Sequence, residues 1–304
     1  MQNLFIHKEL SSLKGILISF LVALFGFLFF FTIGELIKAV FFSGIEADIS
    51  TQQGLMLMRI SQILQTTGLF LFPAILIPLF TSSSAIRFLG FNSTSTSIIF
   101  LSIAIMVLVI PGVNLIASLN AMIPMPSWML DIEQAASRIM KAMLITDSLW
   151  LLMVNLVVVA VIPAIAEELF FRGLVQKYMI GWTGKSFWGI LITAAIFSAI
   201  HMQFQGFIPR LLLGLLFGYL YVWSGSIWAP IAAHFANNST AVFVYYLIGK
   251  GDIPSKLDTV GNASGAWQVG IFSLVVSGIL LWVFWRERVT HPSPQDSALT
   301  SEGL

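Results

Sequence analysis

Leu149-Trp-Leu-Leu-Met-Val-Asn-Leu-Val-Val-Val-Ala-Val-Ile-Pro-Ala-Ile-Ala-Glu167-Glu168-Leu169-Phe170-Phe171-Arg172 decides how the chain must be read. From Leu149 to Ala166 there is no charge; then three ionisable residues follow within six positions. A charge at membrane depth costs roughly 2.5–3.5 kcal/mol on insertion scales, so such residues persist for function or for pairing. On a helix Glu168 and Arg172 are four apart and share a face, while Glu167 points about 100° away from Glu168. One carboxylate is therefore expected to pair with Arg172, and the other to face a cavity.

The rest of the 304-residue chain has the same character. It is 58% hydrophobic and only 10% charged, against about 25% charged in soluble domains. The reading is an integral membrane protein, all-α, a polytopic transmembrane helical bundle of about eight spans. These are placed near residues 16–40, 55–80, 98–119, 149–178, 187–202, 208–223, 227–248 and 266–285, close to the 20 residues a bilayer core requires. Glu35 and Lys38 are expected to form a boundary ion pair on one helix face. Residues 132–145 read as an amphipathic connecting helix. The tail after Pro292 is expected to be disordered. No basic stripe suggests nucleic acid as a partner, and with no cysteine there are no disulfides, thiolate nucleophiles or Cys-ligated metals. No internal repeat points to a transporter.

Basic residues flanking the spans place both termini on the cytoplasmic side, in the cell membrane. The inner segments would then hold Lys8, Lys14, Arg87, Lys177, Lys185, Arg286 and Arg288. The chain divides into residues 1–147, N-terminal spans and a connecting loop; 148–248, the core of the chemistry; and 249–304, the last span and a polar tail.

Two of the four histidines, His201 and His234, lie in apolar runs. Phe197 and His201 are four apart, as are His234 and Asn238, so each pair shares a helix face. If spans four and five fold back at Gly184, Glu167 and His201 each lie seventeen residues from that turn, about 25 Å along their helices. His234 lies only nine residues past Gly225, about 14 Å. The three meet only if that second turn is drawn inward or the helices tilt.

A carboxylate and an imidazole around one water deprotonate it. A second imidazole and an amide N–H stabilise the oxyanion formed when that water attacks a carbonyl. Glu167, His201 and His234 also have the composition of a two-His, one-carboxylate Zn²⁺ site, although no His-Glu-x-x-His helix selects zinc. Ser198 lacks the Gly-x-Ser-x-Gly surroundings of a serine nucleophile.

These residues resemble the CPBP family of intramembrane endopeptidases (CAAX protease and bacteriocin-processing, or Abi). The family pattern is Glu-Glu-x-x-x-Arg, Phe-x-x-x-His and His-x-x-x-Asn/Asp; here it matches Glu167-Glu168 with Arg172, Phe197 with His201, and His234 with Asn238. The resemblance covers residues 148–248. It implies Glu167 as general base, His201 positioning the water, His234 and Asn238 as the oxyanion site, and Glu168, Arg172 and Phe197 as supporting structure. It implies hydrolysis of a peptide bond in a membrane-associated, CAAX-type or lipidated protein, among membrane lipid, with no cofactor required; zinc at Glu167, His201 and His234 is the alternative. A non-catalytic scaffold or immunity protein on the same fold is the competing reading.

Overall fold

The computed structural model describes residues 11–254 and 260–290. His7, Lys8, Lys256, Asp258, His291 and the tail expectation lie outside them. The described chain is helical, without strands. We label the helices α1 (Ser12–Phe41), α2 (Gln52–Thr81), α3 (Ala85–Leu89), α4 (Thr96–Asn120), α5 (Ser127–Leu144), α6 (Leu149–Thr183), α7 (Ser186–Ala199), α8 (Phe207–Ser224), α9 (Trp228–Lys250) and α10 (Trp267–Thr290).

Among the described residues, six helices are long and apolar enough to cross a membrane: α1, α2, α4, α6, α8 and α10. The other two expected spans are helices too. However, α7 has only 14 residues, and the 23-residue α9 carries His234, Asn237, Asn238, Ser239 and Thr240 in one run. That polarity belongs to the interior of the bundle. Helix α5 matches the amphipathic connecting segment and buries Met143 and Leu144 at its end. The Glu35–Lys38 ion pair does not form; Glu35 lines a small cleft with Ser61 and Gln65 of α2.

Proline shapes three helices. A proline has no N–H for the carbonyl four residues back and its ring crowds that carbonyl. The helices widen just before Pro73 and Pro163, into π turns at Thr67–Leu71 and Leu156–Val161. A third π turn, Phe171–Val175, lies just past the Glu-Glu pair. Next to Pro111 a side chain enters the ladder from outside. The Ser273 hydroxyl of α10 donates to Leu108 O at 2.5 Å and accepts from Gly112 N–H at 3.1 Å, inserting itself into the bond that Gly112 would make to Leu108.

Small residues let the helices touch. Gly26 and Gly68 meet backbone to backbone, so that a Cβ on Gly68 would lie 2.5 Å from Gly26 O. In α8, Gly214-Leu-Leu-Phe-Gly218 presents the small-x-x-x-small spacing of close membrane crossings. A Cβ at Gly214 would lie 2.9 Å from Ala194 Cβ, and one at Gly218 2.6 Å from Ile190 of α7. Besides a smaller cluster of Leu144, Leu152, Val158, Val159 and Val242, two larger apolar cores result. One joins α1, α2, α6 and α7 through Ala23, Phe70, Phe170, Phe171 and Phe197. The other joins α4, α8, α9 and α10 through Ile105, Phe217, Ala233 and Phe284.

Two turns set the depth of the polar residues. Gly184 (φ +67°) ends α6 at the surface. Gly225 (φ +64°) is buried, with Ser226 and Ile227. Three bonds to the loop after α3 hold it inside: Asn92 Nδ2–H to Gly225 O at 2.8 Å, Ser226 O–H to Asn92 O at 2.6 Å, and Ile227 N–H to Gly90 O at 2.8 Å. The second turn is thus drawn inward, which removes the depth mismatch for His234.

The glycine contact between α1 and α2 carries a direct test. Gly68→Ala is expected to lower stability by about 1–3 kcal/mol, as overpacking does. Gly278→Ala, where a Cβ meets nothing within 4 Å, should be neutral or slightly stabilising. Thermal unfolding of the two variants in detergent checks this; equal midpoints would contradict the crossing.

Candidate active site between the two cores

The two carboxylates of α6 part company. Glu168 and Arg172 are fully buried, and Arg172 Nη1 donates to Glu168 Oε1 at 2.8 Å. His234 Nδ1 meets the same oxygen at 2.8 Å. Because a carboxylate oxygen accepts, this nitrogen carries the hydrogen, leaving Nε2 as the other ring nitrogen. Arg172 Nη2 donates onward to Gly214 O at 3.2 Å, and one turn later Gln176 Nε2 donates to Gly218 O at 3.2 Å. The glycines of α8 make those carbonyls reachable. Rings of both cores surround the guanidinium: Phe197 at 4.8 Å, Phe217 at 5.3 Å and Phe171 at 5.9 Å. Phe217 also stacks on His234, with centroids 5.0 Å apart and planes 15° apart.

Glu167 turns the other way, as expected of the carboxylate not paired with Arg172. It lines a cavity of about 510 Å³ together with Phe197, His201, His234 and Asn238. Its Oε2 is buried without a hydrogen-bond partner. The structure therefore brings the sequence-picked polar residues together: four on the cavity, and Glu168 with Arg172 directly behind it.

His201 departs in one respect from its expected place. Helix α7 ends at Ala199, so His201 lies in the turn beyond it, and Met202 takes φ +53°, uncommon for a residue with a side chain. The four-residue relation to Phe197 survives. His201 Nδ1 lies 2.7 Å from Phe197 O, and their rings meet edge to face at 5.0 Å. A carbonyl only accepts, so Nδ1 carries the hydrogen and Nε2 of the neutral ring offers a lone pair.

Asn238 has a structural partner that its spacing did not reveal. Pro163 has no N–H for Val159 O, its partner in α-helical register. Val159 O accepts from Asn238 Nδ2 at 3.1 Å instead. The carbonyl freed by Pro163, which lies one turn before Glu167, is thereby satisfied from α9. Asn237 Nδ2 donates in turn to Asn238 Oδ1 at 3.0 Å.

Sequence reasoning missed Arg210, Asn237, Gln203, Gln62 and Thr66, all on the cavity wall. Arg210 had a usable signal, being the one charge within the apolar run 208–223. Arg59 stands near the start of the second expected span. It is buried, and binds Asn155 Oδ1 at 2.9 Å and Met143 O at 2.8 Å, while Asn155 Nδ2 binds the same carbonyl at 2.8 Å. It fastens α2, α5 and α6 together at the edge of the site. Among the described residues no three His, Cys, Asp or Glu side chains converge as a metal-holding group. The Glu167–His201–His234 set thus shares a cavity without the spacing of a ligand cluster.

The Pro163–Asn238 relation gives a double-mutant test. Asn238→Ala strands Val159 O and should cost about 1–3 kcal/mol. In a Pro163→Ala background the new N–H takes over, and the same change should cost less than about 1 kcal/mol. Unfolding measured on the four proteins checks the coupling; equal costs in both backgrounds would contradict it.

Comparison with known proteins places this arrangement. Residues 148–240 match the model of the Rce1-like family, described as type II CAAX prenyl endopeptidase Rce1-like. Three relatives from Bacillus subtilis (strain 168) match parts of the chain. The uncharacterized protein YyaK is 32% identical over 151 residues, 44% of this chain and 48% of its own. The uncharacterized protein YpbD is 29% identical over 85 residues, 27% of this chain and 40% of its own. The protein named putative membrane peptidase YdiL is 29% identical over 89 residues, 29% of this chain and 36% of its own. The chain thus spans less than half the length of each of these relatives. No solved structure matches. The resemblance carried by the three motifs therefore holds over residues 148–240, the Rce1-like segment of an integral membrane protein.

Proposed function

We propose that this protein is an intramembrane endopeptidase that hydrolyses a peptide bond of a membrane-associated, CAAX-type or otherwise lipidated protein. The observation that carries the reading is Glu167, a buried carboxylate with an unpartnered oxygen on a cavity it shares with His201 and His234. The Rce1-like match over residues 148–240 supports the reaction class.

The chemistry follows from which atoms accept and which donate. Glu167 and His201 Nε2 are both acceptors, so one water between them gives a hydrogen to each and turns its lone pair outward. Glu167 takes the proton as the water attacks the scissile carbonyl. The tetrahedral oxyanion is received by His234 Nε2, in its protonated form, and by the remaining N–H of Asn238. Glu167 then returns the proton to the leaving amine, and the peptide C–N bond breaks. Glu168 and Arg172 do not touch the substrate. They hold the His234 ring and its Nδ1–H in one orientation, as a buried carboxylate does for a catalytic imidazole. No step is routed through a metal, because the donor set does not gather at ligand spacing.

We assign the chemistry to residues 148–248, with 1–147 and 249–304 as flanking spans. From the basic residues at the span ends we place both termini on the cytoplasmic side of the cell membrane.

The test is a comparison of membrane-protein termini, by mass spectrometry, in cells expressing wild type or Glu167→Gln at matched levels. New termini present only with wild type are expected, and their sequences name the substrate. The same new termini in both strains would remove Glu167 from the chemistry and favour a non-catalytic scaffold.

A further inference from the structure

The turn that carries His201 is held by groups that the hydrolytic mechanism does not use. It runs between the end of α7 at Ala199 and the start of α8 at Phe207. The Ser198 hydroxyl closes it by donating to Phe207 O at 2.7 Å. Met202, next to His201, is the one non-glycine with a positive φ among the described residues. Such a conformation persists only where its surroundings over-determine it. Ties from outside residues 148–248 supply that restraint. Glu133 Oε2 of α5 accepts from Gln205 N–H at 2.8 Å. Asn120 Nδ2, at the end of α4, donates to Phe204 O at 3.2 Å and to Gln205 O. Trp128 of α5 meets Phe204 edge to face, with ring centroids 5.5 Å apart.

Glu133 also answers an electrostatic need of α8. The N-terminus of a helix has unbonded N–H groups and a partial positive charge, which together favour an anion. The first turn of α8 has no acidic residue and carries Arg210 instead. A carboxylate from α5 therefore stands where α8's own sequence offers none. Helix α5 is itself anchored, because Arg59 and Asn155 both bond Met143 O near its other end. It lies against the active cavity as well, lining it with Met140 and Leu144. Glu133 thus acts on the turn from a helix that is fixed at its far end and seated beside the site.

We propose that Glu133 is a positioning residue for the hydrolysis: its bond to Gln205 N–H holds the turn in the shape that keeps His201 Nδ1 on Phe197 O and Nε2 toward the water. This deepens the endopeptidase reading and rests on it. It also gives the segment before residue 148 a part in the chemistry. Glu133 touches neither water nor substrate. Without its bond, Met202 relaxes out of the left-handed region and the neighbouring ring loses its hold on Phe197 O. An amide oxygen accepts from Gln205 N–H as a carboxylate does, so the turn requires the acceptor and not the charge.

The experiment uses the full-length protein in nanodiscs, isotope-labelled at histidine, and a short prenylated peptide. Ring-nitrogen magnetic resonance reads the tautomer of His201, and cleavage kinetics read kcat and KM apart. The chain has four histidines, and the His201→Gln spectrum identifies the ring in question. Wild type should show the Nδ1–H tautomer alone. Glu133→Ala should show both tautomers and lower kcat by about 10- to 100-fold with KM unchanged, as a misplacement of about 1 Å does. Glu133→Gln should match wild type in both readouts. Glycine adopts a positive φ without steric cost, so in a Met202→Gly background Glu133→Ala should lower kcat only a few-fold. An unchanged ring spectrum and kcat in folded Glu133→Ala would overturn the assignment, as would a rise in KM with kcat unchanged. Damage in Glu133→Gln equal to that in Glu133→Ala would overturn it in favour of a charge effect. Equal losses with and without Met202→Gly would overturn the route through the turn. If wild type cleaves no peptide, the endopeptidase reading fails, while the ring spectra still decide whether Glu133 positions His201.

Discussion

Everything in the bundle interior depends on one oxygen, Glu168 Oε1, which accepts from both Arg172 and His234. An uncompensated charge in an apolar interior costs several kcal/mol, and breaking a buried pair typically destabilises by about 3–5 kcal/mol. Arg172 therefore constrains more than its own helix. Its second amino group reaches the Gly214 carbonyl, which fixes how α8 lies against α6, and the aromatic rings of both cores close around it. Because His234 hangs on the same carboxylate, α9 is registered to α6 by that bond. The neighbouring Glu167, 100° around the helix, is left to the cavity. Two adjacent glutamates thus do opposite work: one organises the protein, the other stays available.

The same economy appears where proline breaks the helices. Pro163 removes a ladder bond, and that loss is met by Asn238 from another helix; next to Pro111, Ser273 of a neighbouring helix is inserted between Leu108 O and Gly112 N–H. A membrane interior offers no water to satisfy freed backbone groups, so such repairs are obligatory and bind the helices together. The repair at Pro163 lies one turn before Glu167, so the helix that presents the carboxylate is braced next to it.

Much of this was legible in the sequence because the membrane makes it so. The charge-free run before Glu167 and the isolated His201 and His234 stand out against an apolar background, and the four-residue spacings map directly onto helix faces. Eight helices stand where eight spans were expected, and the segregation of Glu168 with Arg172 followed from the 100° turn between adjacent residues. What failed to show depends on tertiary contact. The inward turn at Gly225 is held by Asn92, more than a hundred residues away. The bond of His234 to Glu168 joins two helices whose relative rotation no spacing specifies. Asn238 looked like a lone polar partner of His234, yet its bond goes to a carbonyl freed by Pro163. Arg210 was visible as a solitary charge in its run, but nothing local said that it faces the cavity.

The central claim is that Glu167 activates the water that cuts the peptide. Its most direct test is single-turnover cleavage of a prenylated peptide by purified wild type and Glu167→Gln, with unfolding profiles confirmed to be the same. The glutamine variant is expected to be slower by about 10²- to 10⁴-fold, the range for loss of a general base, with peptide binding retained. Cleavage by Glu167→Gln within a few-fold of wild type would contradict it.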